Sequence, residues 1–257
     1  DLVIALKESM DQQAHERNRT AGQFVLTGSA NLLTMRRVNE SLAGRATYIT
    51  LWPMTRREQL GHASAGIWSD LFDTPVDRWY DLVLASTAPA ADWREHVRIG
   101  GYPTPALELS TPAQRSIWFQ GYIDTYLDRD VRDIADISST LDLRRLMRIA
   151  SHRVGQLVNR SAWALDAGVA ATTAHRYLDL LEQSYQLIRI EAFSANRTKR
   201  LIKSPKAYWS DPGLAYHLAE SPPFSGFHFE NLVLCDLIAW RDSLPTRAAI
   251  MHWRTTN

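Results

Sequence analysis

The chain is short of cysteine: Cys235 stands alone among 257 residues, so no internal disulfide is available and a reducing compartment is expected. No apolar run approaches the ~18 residues that a membrane-spanning helix needs, and the first residues lack the pattern of a signal peptide. Together these shortages lead to the expectation of a cytoplasmic protein with no membrane partner. The eight histidines form no H-E-x-x-H string and no Cys/His grouping, which argues against a zinc site. Gly28-Ser29-Ala30 lacks the second glycine of a nucleophile elbow. The absence with the largest consequence is a phosphate-binding loop. No G-x-x-x-x-G-K-[ST] string occurs, and Lys203-Ser204 follows a basic and apolar run without glycine. Nor does any strand end in adjacent acidic residues able to hold Mg²⁺. These residues alone are therefore expected to hydrolyse no ATP.

What is present is an ordinary soluble composition, 45% hydrophobic and 22% charged, in a chain long enough for more than one domain. The net charge of +1 hides an uneven distribution. Residues 136–210 carry twelve Lys and Arg against six Asp and Glu, a local +6, whereas residues 1–135 carry fourteen against seventeen, a local −3. Such an excess points to a polyanion partner for the middle block, with a solvated basic face as the alternative. Cys235, on the apolar side of an expected helix, reads as packing rather than as a nucleophile.

The segment Gln23 to Thr55 organises the first part of the chain. Phe24, Val25 and Leu26 form an apolar run ending in Thr27-Gly28-Ser29, followed by a helical stretch, Ala43-Gly44-Arg45, and a second apolar run from Thr47 to Trp52. A continuous apolar run that stops on small polar residues and opens a helix predicts a buried parallel strand, with ligands beyond its carboxyl end. By residue type, Ser29 and Asn31 suit helix capping as well as contact with a ligand.

These residues resemble a prokaryotic family of AAA-type ATP-binding proteins that also carry a C-terminal module of unknown function. The resemblance rests on Leu26-Thr27-Gly28-Ser29 and on Glu40 to Arg45 with the strand and Pro53 after it. It continues through Gly100-Gly101-Tyr102-Pro103, Tyr126 to Val131, Lys203 to Lys206 and Phe229-Glu230-Asn231. It implies that residues 1–60 are the C-terminal part of an AAA-type ATPase domain of P-loop type, with Asp1 just after a Walker B segment, so that the chain is expected to be a fragment. It makes Ser29 and Asn31 nucleotide-sensing candidates, and makes Arg45 a candidate for pairing with phosphate, in cis or from a neighbouring subunit as an arginine finger does. A surface arginine at a helix terminus is the alternative for Arg45. ATP and Mg²⁺ are implied for the intact family member and a homo-oligomer is a further option, while this chain alone is expected to bind no cofactor.

Residues 61–135 are expected to form a helical bridging region, with breaks at Thr74-Pro75 and Pro89 and a turn at Gly100-Gly101-Tyr102-Pro103. From Ala113 to Ala135 apolar residues recur at helical spacing, and the interleaved charges Asp128, Arg129, Asp130, Arg132 and Asp133 read as solvated pairs on one helix. Residues 136–210 are expected to form a winged helix. Its elements are an amphipathic helix with Leu143, Leu146, Met147 and Ile149, a short helix capped by Ser161 and closed at Gly168, and a second helix with Ala174, Tyr177, Leu178 and Leu181 inward. That arrangement leaves Thr172, Thr173 and Arg176 towards a duplex DNA groove. Arg197, Lys199, Arg200 and Lys203 follow as a basic wing suited to phosphate. Protein docking is the alternative use of such a module.

Residues 211–257 open on the turn Asp211-Pro212-Gly213-Leu214 and continue with a helix carrying Glu230 and an expected strand from Ile250 to Trp253. This stretch resembles the start of the family's restriction-nuclease-like α/β domain. A single carboxylate cannot complete a hydrolytic metal site, so Glu230 is expected to be an orphan and no metal is expected. The fold expected is thus α/β plus mostly α: a truncated ATPase half, a helical region, a winged helix and the start of a nuclease-like domain. Function is expected to be that of part of an AAA-type ATP-binding protein that touches DNA, with a non-catalytic DNA- or protein-binding module, or a decayed fragment, as the alternatives.

Overall fold

The computed structural model describes residues 2–15, 22–28, 42, 44–62, 66–85, 91–127, 131, 139–194, 203–245 and 248–253. In chain order the helices are α1 (Leu2–His15), α2 (Arg56–Gln59), α3 (Ile67–Asp73), α4 (Trp79–Ala85), α5 (Trp93–Ile99), α6 (Pro112–Thr125), α7 (Thr140–His152), α8 (Arg160–Ala167) and α9 (Ala171–Gln183). Strands β1 (Leu187–Ile190) and β2 (Lys206–Trp209) follow, and then α10 (Pro212–Leu218) and α11 (Gly226–Ser243). The described residues are thus mostly helical around one small sheet. None of their helices is long and apolar enough to cross a membrane.

Local chemistry sets most of the helix ends. Ser139 caps α7 by accepting the Asp142 N–H at 3.2 Å. Asn159, rather than the expected Ser161, caps α8, its Oδ1 accepting the Ala162 N–H at 3.0 Å. Asn159 holds the extended conformation that a capping residue needs, while Ser161 already lies inside the helix. Gly168 then closes α8 at φ +67°, in the left-handed region where a side chain would be strained. The break between α3 and α4 falls at Thr74-Pro75, because proline cannot continue the helix it would interrupt.

β1 and β2 pair antiparallel, with Leu187 opposite Trp209 and Ile190 opposite Lys206. Two further segments lie against this pair. Residues 155–158 run along the free edge of β2, with Gly155 N–H donating to Ala207 O at 2.7 Å and Val158 N–H to Pro205 O at 2.8 Å. On the other side, His252 makes a parallel bridge beside Ala192 through His252 N–H to Glu191 O at 2.9 Å and Phe193 N–H to His252 O at 2.8 Å. The strand expected at Ile250 to Trp253 therefore appears as a single bridge on the margin of the same sheet.

The core is continuous. Phe119, Ile123 and Tyr126 of α6 and its extension meet Leu143, Leu146 and Met147 of α7, Trp163 of α8, and Ala174, Tyr177 and Leu181 of α9. Trp209 of β2, Leu214 of α10 and Ile238 of α11 complete it, so the segments 136–210 and 211–257 share one apolar interior. Trp163 and Trp209 are both fully buried. Truncating either to alanine would cost roughly 3–5 kcal/mol.

The two apolar runs expected to be buried strands behave differently. Among the described residues, 23–28 and 46–51 belong to no ladder, and Val25, Ile49 and Leu51 are 89%, 83% and 95% exposed. A buried strand needs neighbours to take its N–H and C=O groups, and among the described residues neither run has one. Apolar composition alone does not supply that partner.

Candidate functional site

The face proposed for a polyanion lies on α8, α9 and the loop beyond β1. In α9, Ala174, Tyr177, Leu178 and Leu181 are buried, which turns Thr172 and Arg176 outward and leaves Thr173 half-buried. Arg176 lies over the Tyr177 ring, 5.3 Å from its centroid. Lys203 is exposed at the end of the loop, while Arg197, Lys199 and Arg200 fall outside the described residues, as does the charged run from Asp128 to Asp130 with Arg132 and Asp133. The N-cap of α9 is Ala170, which has no side-chain acceptor to offer the helix's first N–H groups.

Several cations of this block are paired within the fold. Arg144 pairs with Asp124, Arg148 with Glu220 and Arg153 with Asp166. Arg160 pairs with Asp179 at 3.0 Å, Arg189 with Glu182, and Lys206 with Glu230 at 2.6 Å. Asp124 is held below the usual carboxylate range chiefly by its hydrogen bond from Arg144. Counting within the block could not show that three of these partners, Asp124, Glu220 and Glu230, come from outside it.

Of the three nucleotide-sensing candidates, Ser29 and Asn31 lie outside the described residues. Arg45 is described, and its guanidinium grips Asp11 of α1 at 2.8–2.9 Å. Among the described residues no group of three or more His, Cys, Asp or Glu could hold a metal ion. Arg45 is thus engaged with a carboxylate of α1.

Glu230, the nuclease-like carboxylate, sits at the start of α11 against β2. It accepts Lys206 Nζ at 2.6 Å and Tyr208 OH at 2.7 Å, both on one oxygen. Burial and this hydrogen bond push the Tyr208 hydroxyl far up. The nearby His252 is buried, which lowers its pKa. The cluster ties α11 to the sheet and leaves the carboxylate engaged by a cation and a phenol.

The most organised polar centre is one that residue types did not reveal. Asp211 is 0% exposed and caps α10 by accepting the Leu214 N–H at 2.7 Å. Its other oxygen accepts the N–H groups of Gly101 at 2.6 Å and Tyr102 at 3.2 Å. Burial raises this carboxyl to about 6, against the N–H donors that favour its charge. Glycine is required on both sides: a Cβ on Gly101 would stand 2.5 Å from the Met54 carbonyl oxygen, and one on Gly213 2.8 Å from the Gly100 nitrogen. The turn at Gly100-Gly101-Tyr102-Pro103 and the turn at Asp211-Pro212-Gly213 are thus two halves of one joint. From it a polar chain continues through Tyr102 OH to Tyr122 OH at 3.0 Å, which also takes the Gln186 amide at 3.0 Å.

The segment following the second apolar run docks on this joint. Met54 N–H donates to Gly101 O at 2.7 Å, and the Gln59 amide reaches Gly100 O at 3.0 Å. The Arg56 backbone N–H donates to Asp236 of α11. Trp52 Nε1 donates to Asp242 Oδ2 at 2.8 Å, and the Trp52 ring meets Tyr185 edge-on with centroids 5.7 Å apart.

Comparison with known proteins matches two parts of the chain, and both turns of the joint lie within the second. A family model described as a domain of unknown function, DUF8612, matches residues 90–225, and one described as an AAA domain matches residues 1–60. An uncharacterized protein of Mycobacterium tuberculosis is 28% identical over 241 residues, which is 91% of this chain and 47% of that protein. An uncharacterized protein of Mycobacterium bovis matches to the same extent. One of Haemophilus influenzae is 26% identical over 222 residues, 84% of this chain and 50% of that protein. The chain spans about half the length of the curated relatives it matches. No solved structure matches it.

Proposed function

The chain belongs to the family of the domain of unknown function DUF8612, and from that premise we propose that it is part of an AAA-type ATP-binding protein whose helix-and-strand module is a winged helix contacting duplex DNA. One observation carries this reading. The order α7, residues 155–158, α8, a three-residue turn, α9, β1, a loop and β2 buries one face of α9 and turns Thr172 and Arg176 outward. A helix presented in that way enters a major groove, and a loop with Lys203 at its base suits phosphate contacts. ATP and Mg²⁺ belong, in this reading, to a phosphate loop that these 257 residues do not contain. Glu230 serves as a tie between α11 and β2, not as a nuclease ligand.

The test is fluorescence anisotropy with a labelled duplex at 50 and 200 mM salt. Binding is expected that weakens with salt, each phosphate contact adding about 0.9 to the logarithmic slope. Arg176→Ala should weaken it about tenfold. Replacing Arg197, Lys199 and Arg200 together by alanine should flatten the salt slope. No binding at 50 mM, or a slope near zero, would remove the DNA reading. A second reading, a protein-docking module, draws on the ion pairs that already occupy Arg144, Arg148, Arg153, Arg160 and Arg189. It expects no duplex binding, and triple-alanine protein indistinguishable from the parent.

A further inference from the structure

We propose that the arm formed by α3 and α4 is a docking surface for a cationic amphipathic helix of another protein. α3 is held to the body of the fold by α11: Trp240 Nε1 donates to Ser69 Oγ at 2.9 Å, and the Trp240 ring meets Phe72 with centroids 5.5 Å apart. α4 is held in turn by α3, through the Trp79 indole N–H, which reaches the Leu71 and Thr74 carbonyl oxygens at 2.9 Å each. Beyond that anchor α4 is largely open. Its seven residues, Trp79 to Ala85, are apolar or aromatic except Asp81, yet none is buried. Val76, Tyr80 and Leu84 are 71%, 73% and 66% exposed. A helix of that composition is ordinarily packed against something, and a contiguous exposed apolar surface marks a binding site.

The charge of the arm selects the occupant. Residues 66–85 carry Asp70, Asp73, Asp77 and Asp81 against Arg78 alone, a local −3, and all five side chains are exposed. Among the described residues none of the five is in an ion pair. A nucleic acid or an anionic lipid surface would be repelled. An isologous contact with a second copy would set the four aspartates against their own counterparts, since in such an interface one patch serves both sides. Opposite charge flanking an apolar stripe is what fits. Tyr80, Val83 and Leu84 stand at i, i+3 and i+4 and so share one side of α4, with Asp77 and Asp81 four residues apart along the same turns. A helix with aliphatic residues on one side and Lys or Arg at the margins would bury the first set and pair with the second. None of this depends on the duplex face.

Fluorescence anisotropy of a labelled synthetic helix of leucine and lysine in heptads, titrated with this chain, tests the surface; the same peptide with glutamate for lysine is the control. The lysine peptide is expected to bind, more weakly as salt rises, and the glutamate peptide to stay free. Tyr80→Ser combined with Leu84→Ser should weaken binding about tenfold or more. Asp77→Asn combined with Asp81→Asn should weaken it about threefold and flatten its salt dependence. Because these side chains cover no core, both variants should melt with the parent. Absence of binding, or binding that neither variant weakens, overturns the proposal. So does a serine variant that melts well below the parent, since its side chains would then be covered within the chain. Sedimentation velocity decides the remaining occupant: a parent oligomer that the serine variant dissociates would put a second copy on the arm and overturn the proposal equally.

Discussion

Asp211 places a carboxyl in the interior at the price of its solvation, and that choice has a pH signature. Burial raises its pKa to about 6 from an ordinary 3.8, so the folded chain binds this proton more tightly than the unfolded chain. The stability it contributes is therefore complete below about 3.8 and is lost as pH rises through about 6. Asp236 is raised to about 6 as well and acts in the same direction. Asp211→Asn keeps a good capping residue but cannot titrate. The melting temperature of that variant minus that of the parent should be larger at pH 7 than at pH 4.5; equal differences would show that Asp211 does not titrate in this window. Asp236 is present in both proteins and cancels.

At the scale of elements, α9 is stabilised mainly by its buried face, since its own N-terminus is poorly made. Ala170 sits in the extended conformation of an N-cap with no acceptor. α7, α8 and α10, by contrast, are capped by Ser139, Asn159 and Asp211. Ala170→Ser should therefore add about 1 kcal/mol. For a chain of this size that is an increase of about 2–4 °C in melting temperature, read by circular dichroism. No increase would mean that the first turn of α9 already satisfies its N–H groups in another way. The loop between β1 and β2 belongs to the same scale. Most of it lies outside the described residues, whereas Arg144 and Arg148 of α7, Arg153 just after it and Arg160 of α8 face carboxylates on α6, α8, α9 and the α10–α11 connection.

Across the whole molecule, the continuous core from Phe119 to Ile238 makes separate unfolding of α7–α9 and of α10–α11 unfavourable. Either piece alone would expose the faces that Trp209, Leu214 and Ile238 now cover. A single transition is expected, with tryptophan fluorescence and far-ultraviolet circular dichroism giving coincident curves. Fluorescence changing well before helix content would instead divide the core. Burial of the 100–102 turn against Asp211 and of Met54 against Gly101 draws the AAA-matched segment into the same structure at its Trp52–Gln59 end.

The sequence by itself determined what is local. Helical spacing of Ala174, Tyr177, Leu178 and Leu181 predicts the buried face of α9, and Gly168 and Asp211 mark element ends, because a 3.6-residue period and a capping acceptor act over a few residues. The missing phosphate loop is likewise a fact of the string. The tertiary structure decided everything that needs two distant segments at once. Gly101 meets Asp211 across 110 residues and Trp52 meets Asp242 across 190. The arginines of the basic block meet their carboxylates in the same way. The runs at 23–28 and 46–51 look like strands in sequence, yet a strand exists only where another backbone takes its hydrogen bonds, and that partner is not encoded in the run itself.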